Sequence, residues 1–115
     1  MELEYMPAKA QKYCSCPIEA KKQFGPLPGE KLIATINFLK AAKTLQDIEA
    51  MNRYRLHHLE GKLSEYLSIT VMKKTWRLLI KPVPPFGADV QHKDMATKCR
   101  SVTKIAIKEM SKHYE

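Results

Sequence analysis

Apolar and polar positions alternate most regularly over residues 66–81. Leu67, Ile69 and Val71 take turns with Tyr66, Ser68 and Thr70, and after Met72-Lys73-Lys74-Thr75 the residues Trp76, Leu78 and Ile80 take turns with Arg77, Leu79 and Lys81. A period of two predicts paired antiparallel strands with one buried face. The turn between them contains no Gly, Asn or Asp, so its type does not follow from turn chemistry. Upstream the period changes. Leu32, Ile33, Ile36, Leu39 and Ala42 recur at helical spacing while Lys31, Lys40 and Lys43 lie off that stripe, which predicts a helix whose apolar face covers the sheet.

The remaining elements follow from punctuation. Leu3 and Tyr5 alternate with Glu2 and Glu4 in a short first strand, and Pro7 suits the first position of a helix over residues 7–14. Pro17 breaks or restarts that helix, and Ile18, Ala20 and Phe24 mark a second piece that ends at Gly25. Pro26-Leu27-Pro28-Gly29 reads as a connector. Thr44, three residues before Asp47, resembles a capping arrangement that starts one more turn over residues 45–50. Residues 53–59 read as the first of the central strands, turned by Glu60-Gly61-Lys62 into the next. Three prolines at 82, 84 and 85 remove ladder donors, so residues 82–101 are predicted to be a long, mostly exposed loop. Residues 102–110 return as a strand with Ile105 and Ile107 inward. The sum is one α+β domain over residues 1–115, with N-terminal helices packed on a small, mostly antiparallel sheet.

Charge narrows the partners. Twenty Lys and Arg against twelve Asp and Glu give a formal net charge of +8 and a pI near 9.5, suited to RNA or to an acidic protein; the competing explanation is a solubilising surface. Cys14, Cys16 and Cys99 are odd in number in a chain with no cleavable apolar leader, which speaks against a disulfide framework and for a reducing cytoplasm. Cys14-Ser15-Cys16 lacks a second pair at ligand spacing and makes no zinc site. Apolar runs fall far short of the roughly 20 residues of a membrane span.

Should the polyanion that this charge suits be RNA that side chains cut, the chemistry would need an acceptor for the attacking 2′-hydroxyl proton, cations for the phosphorane and a donor for the leaving oxygen. Histidine suits the first and last roles and arginine the second. On a strand over residues 53–59, Arg53, Arg55 and His57 would share one face, and Arg77, flanked by inward Trp76 and Leu78, could meet them across the sheet. A lone strand histidine is more often an ordinary surface or core residue, so the pattern alone leaves His57 weak.

Arg55-Leu56-His57-x-Leu59-x-Gly61, then Tyr66-x-Ser68-Ile69, then Trp76-Arg77 resembles the core of the RelE/HigB toxins of bacterial type II toxin–antitoxin systems. The similarity extends to Ala20-Lys21-Lys22-Gln23-Phe24-Gly25, Thr44-Leu45-Gln46-Asp47-Ile48 and Val102-Thr103-Lys104-Ile105. It implies a RelE-like fold and a ribosome-dependent endoribonuclease that needs no metal or cofactor. It also implies silencing by a cognate helix-turn-helix antitoxin of HigA type, and binding of operator DNA through that complex. His57 and Arg77 fall on the family's RNA-cleaving positions. The family's terminal Asp-Tyr-His is replaced by Lys112, His113 and Tyr114, of which His113 and Tyr114 remain candidates for proton transfer and stacking. Arg53, Arg55, Lys62, Lys73 and Lys74 are candidate contacts to ribosomal or messenger RNA. The alternative is a toxin-fold module that binds an antitoxin or RNA without cutting.

Overall fold

Prolines and glycines set how the helices join. In the computed structural model, which describes residues 1–84 and 99–112, β1 (Glu2–Tyr5) leads into α1 (Ala8–Ser15), and Cys16 is extended before Pro17 opens α2 (Pro17–Phe24). α2 stops at Gly25, whose φ of +99° suits glycine and whose N–H reaches the Lys21 carbonyl at 2.8 Å. The expected connector at residues 26–29 is instead the first turn of α3 (Pro26–Ala41). N–H groups in a first turn have no intrahelical partner, so two prolines cost nothing there. Gly29 has a separate reason: a Cβ on it would stand 2.6 Å from the Lys21 Cα, so its absence lets α3 lie directly on α2.

The helical stripe is as expected, with Leu32, Ile36 and Leu39 buried and Ile33 half-buried. After α3, Thr44 Oγ1 accepts the Gln46 N–H at 3.2 Å and Asp47 Oδ2 accepts the Lys43 N–H at 2.9 Å, which starts the single turn of α4 (Gln46–Glu49).

Strands β2 (His57–His58), β3 (Leu67–Met72), β4 (Trp76–Pro82) and β5 (Lys104–Lys112) join β1 in a five-stranded sheet of order β1-β5-β4-β3-β2. All pairs are antiparallel except β1 with β5. The α+β expectation is therefore met, and one face of the sheet carries the rows Leu67–Ile80–Ile107 and Ile69–Leu78–Met110 into the helices.

Two strand expectations need correction. The strand expected over residues 53–59 shrinks to His57–His58, because Tyr54 is buried with its ring 5.2 Å from that of Phe38 on α3, and this turns Asn52–Tyr54 into a 3-10 turn. Pro82 belongs to β4, paired with Ile105. The β3 pairing ends at Leu67–Ile80, so by Pro82 only β5 flanks the strand and no β3 bond is lost. Near the far end of the expected exposed loop Cys99 is buried, and just past it Val102 is buried too, its carbonyl accepting the Leu45 N–H at 3.0 Å. The rest of that loop, residues 85–98, lies outside the described residues.

β1 stops opposite Ile107, leaving the next part of the β5 edge to α1. There the Met110 N–H donates to the buried Tyr13 hydroxyl at 3.1 Å, while the Tyr13 ring meets Phe24 edge-on at 4.8 Å, and Phe24 meets Trp76 at 5.1 Å. Tyr13→Phe keeps the ring contacts and orphans a strand N–H. It should lower unfolding stability by about 1–3 kcal/mol, read as a shift in urea midpoint; an unchanged midpoint would show that water replaces the hydroxyl.

Burial also pushes the Cys14 thiol up to about 12, only partly opposed by the charge of Lys40. The Cys14 thiol therefore stays protonated at neutral pH, making a packing group rather than a nucleophile.

Candidate functional site

The sheet face turned away from the helices is built by register. His57 pairs with Ser68, Ser68 with Leu79 and Leu79 with Glu109, forming one row. Thr70, Arg77 and Ser111 form the next. Directly opposed residues point to the same face, so His57 and Arg77 share it, two strands and one row apart. Strand spacing and rise put their Cα atoms roughly 12 Å from each other, a gap that one nucleotide and two long side chains can span.

The floor of this face is closed. Ser68 and Leu79 are each only 2% exposed. Lys108, the extra residue where the β4–β5 register shifts, lies with its Nζ 4.7 Å from the Tyr66 ring centroid. Arg77 is half-buried, and its Nε–H points at Ser111 Oγ across a long 3.5 Å.

His57 is exposed but oriented. Its Nδ1 lies 2.6 Å from the Arg55 carbonyl oxygen. A carbonyl only accepts, so Nδ1 carries the proton, and in the neutral ring the lone pair is on Nε2. Arg55 presents that carbonyl because it is left-handed, at φ +45°. A non-glycine residue held there is strained, and such strain persists only where its surroundings enforce it.

The other predicted residues separate. Arg53, Arg55 and His57 do not line one strand face, since the strand that would align them is not formed. Arg53 folds over Tyr54, its guanidinium 4.8 Å from the ring centroid and donating to the hydroxyl at 2.7 Å. With Arg55 and Lys73 it lines a groove between α3 and the end of β3. Lys62 is exposed in a 3-10 turn (Gly61–Leu63). Lys74 is exposed at the β3–β4 turn with φ +65°, where the Thr75 N–H closes on the Met72 carbonyl at 3.1 Å; a positive φ at that position ordinarily selects glycine or asparagine. Lys112 stands opposite Trp76, with Nζ 5.6 Å from its ring centroid, on the face away from Arg77. His113 and Tyr114 lie outside the described residues. Sequence reasoning missed Ser111, Lys108, Lys31 in the groove and the Arg55 carbonyl, because none carries a signal before the pairing and the backbone dihedral are known.

Comparison with known proteins bears on the family and the fold. The family model of the RelE-like toxin of the type II toxin–antitoxin system HigB matches residues 19–90. No curated protein sequence matches the chain. Among solved structures, the chain is similar to a YoeB/ParE toxin from Agrobacterium tumefaciens at 14% identity and a TM-score of 0.56, covering 99% of this chain and 100% of that one. It is also similar to YafQ from E. coli strain BL21(DE3) at 13% identity and a TM-score of 0.56, covering 97% and 92%. At these identities the structural likeness speaks for the fold alone.

Proposed function

We propose, for a chain that belongs to the RelE-like HigB toxins of type II toxin–antitoxin systems, that it is the toxin that cuts mRNA on the ribosome. The observation that carries this reading is the pairing of an oriented imidazole with an arginine on one open sheet face: His57 held at Nδ1 by the Arg55 carbonyl, and Arg77 one row away.

The chemistry is transesterification. His57 Nε2 takes the ribose 2′-hydroxyl proton as that oxygen attacks the adjacent phosphorus, and Arg77 holds the non-bridging oxygens as their charge grows. The bond to the 5′ oxygen breaks, and His113 or Tyr114 supplies that oxygen with its proton. The products are a 2′,3′-cyclic phosphate and a 5′-hydroxyl. Exposed Lys62 and Lys74 neutralise ribosomal or message phosphates, contacts that release counterions and weaken with salt.

In this reading the protein works in the cytoplasm and is silenced by a cognate helix-turn-helix antitoxin of HigA type. The toxin–antitoxin complex binds its operator. Lys112, standing where the family carries an acid and turned toward Trp76, favours one rival: a toxin fold that binds its antitoxin or RNA without cutting.

Purified protein added to ribosomes programmed with a defined mRNA should yield new 5′ ends inside the translated frame, mapped by primer extension. Equal cutting of the same RNA without ribosomes would contradict ribosome dependence. Intact message at saturating folded protein would favour the non-cutting rival.

A further inference from the structure

The β4–β5 register shifts by one residue between Leu79 and Ile80, so Lys108 and Glu109 together oppose Leu79 where alternation would place a single side chain. The extra residue, Lys108, sends its ammonium across β4 to the Tyr66 ring, 4.7 Å from the centroid. Tyr66 and Leu79 are buried without joining the cluster under the helices, so they and the Lys108 ammonium belong to the open face. No carboxylate pairs with Lys108 among the described residues. Lys81, the other cation at this end of β4, is drawn to Glu65 at 3.6 Å. Glu109 borders a hollow with Lys9 and Tyr13 beyond the edge of β5, whereas the Lys108 ammonium reaches the opposite way.

We propose that Lys108 holds the backbone phosphate on the 5′ side of the ribose whose 2′-hydroxyl attacks, and thereby sets the direction in which RNA crosses the face. The proposal rests on the nuclease reading of His57 and Arg77. Along β3 the order is Tyr66, Ser68, Thr70, in steps of about 7 Å. Register carries that order across the sheet, with Lys108 at Tyr66, His57 at Ser68 and Arg77 at Thr70. The attacking ribose lies at His57, and its 3′ phosphate, the one that breaks, lies at Arg77. Continuing the same strand away from Arg77 brings the 5′ phosphate of that ribose to the Tyr66 end, where the Lys108 ammonium stands.

A stacked base suits this end less well. Stacking needs an open ring, whereas Tyr66 is 9% exposed and its ring already lies under Lys108. An ammonium is a compact point charge that suits a phosphate without reading the base.

Cleavage by the full-length protein is measured as kcat/KM on ribosomes programmed with two messages that differ at one linkage. In the first, the phosphate 5′ of the mapped cutting nucleotide is normal; in the second it is a methylphosphonate, which carries no charge. Both messages carry a 2′-O-methyl group on the preceding nucleotide, so that the neutral linkage cannot break itself. Lys108→Met keeps an apolar stem on Tyr66 and loses the ammonium, with the urea midpoint as the folding control. The neutral linkage and Lys108→Met should each lower kcat/KM about tenfold, the loss of one charge-assisted contact. Together they should lower it no further than either alone. Lys108→Arg keeps the charge and should keep the sensitivity to the neutral linkage. Losses that multiply to about 100-fold would make Lys108 and this phosphate independent and overturn the proposal, as would an undiminished rate for Lys108→Met. Coupling of Lys108 to a methylphosphonate one nucleotide 3′ of the cut would reverse the strand and overturn it too. Wild-type protein that leaves both messages intact sinks the nuclease reading and this proposal together, whereas cutting without coupling sinks the proposal alone.

Discussion

Arg77→Ala should leave a folded protein that cuts ribosome-bound message about 10²–10³-fold more slowly, the usual loss when a preorganised donor to a developing oxyanion is removed. Folding should survive because the guanidinium is not part of the core. Its neighbours Trp76 and Leu78 bury the strand on the helix side, and the hydroxyl that its Nε–H points at, on Ser111, is a long 3.5 Å away on the open face. The loss should fall on kcat, since charge builds on the phosphoryl oxygens only as the 2′-oxygen attacks. Lysine at this position should recover only part of the rate, because an ammonium cannot offer two parallel donors. Single-turnover cleavage on programmed ribosomes, with circular dichroism as the folding control, decides it. A folded Arg77→Ala that cuts at the wild-type rate would place the phosphate elsewhere.

How far the sequence foretold this face differs residue by residue. Arg77 was legible because both its neighbours are large and apolar, so period-two alternation leaves it one direction. The long helix was legible from Leu32 onward but not at its start. Helical spacing is carried by side chains, whereas Pro26, Pro28 and Gly29 act through missing donors and a missing Cβ, visible only once α2 lies against them. Residues 53–57 misled for the opposite reason: three polar side chains at even spacing imitate a strand face, yet the burial of Tyr54 between them outweighs the pattern. The β3–β4 turn was opaque because Lys74 takes a backbone conformation its residue type gives no hint of. The grouping of Arg53 with Lys31 and Lys73 joins residues far apart in sequence, which no local period encodes.

His57 and Arg55 can be told apart by which kinetic constant each one moves. His57→Ala removes the proposed proton acceptor and should cut kcat by about 10²–10⁴, the span usual for a positioned general base. Arg55→Gly removes a guanidinium but keeps the carbonyl, and glycine adopts the positive φ of that position without strain. The imidazole should then stay oriented, so cleavage at saturating ribosomes should change little while the ribosome concentration needed for half-maximal rate rises, the signature of a lost phosphate contact. If Arg55→Gly instead lowers kcat as far as His57→Ala, the side chain of Arg55 acts in the chemical step and the carbonyl is incidental. His113→Ala supplies the remaining comparison. A folded His57→Ala that cuts normally beside a dead His113→Ala would move the base out of the sheet and into the C-terminal residues, because no orientation of Nε2 toward the open face matters if its removal costs nothing.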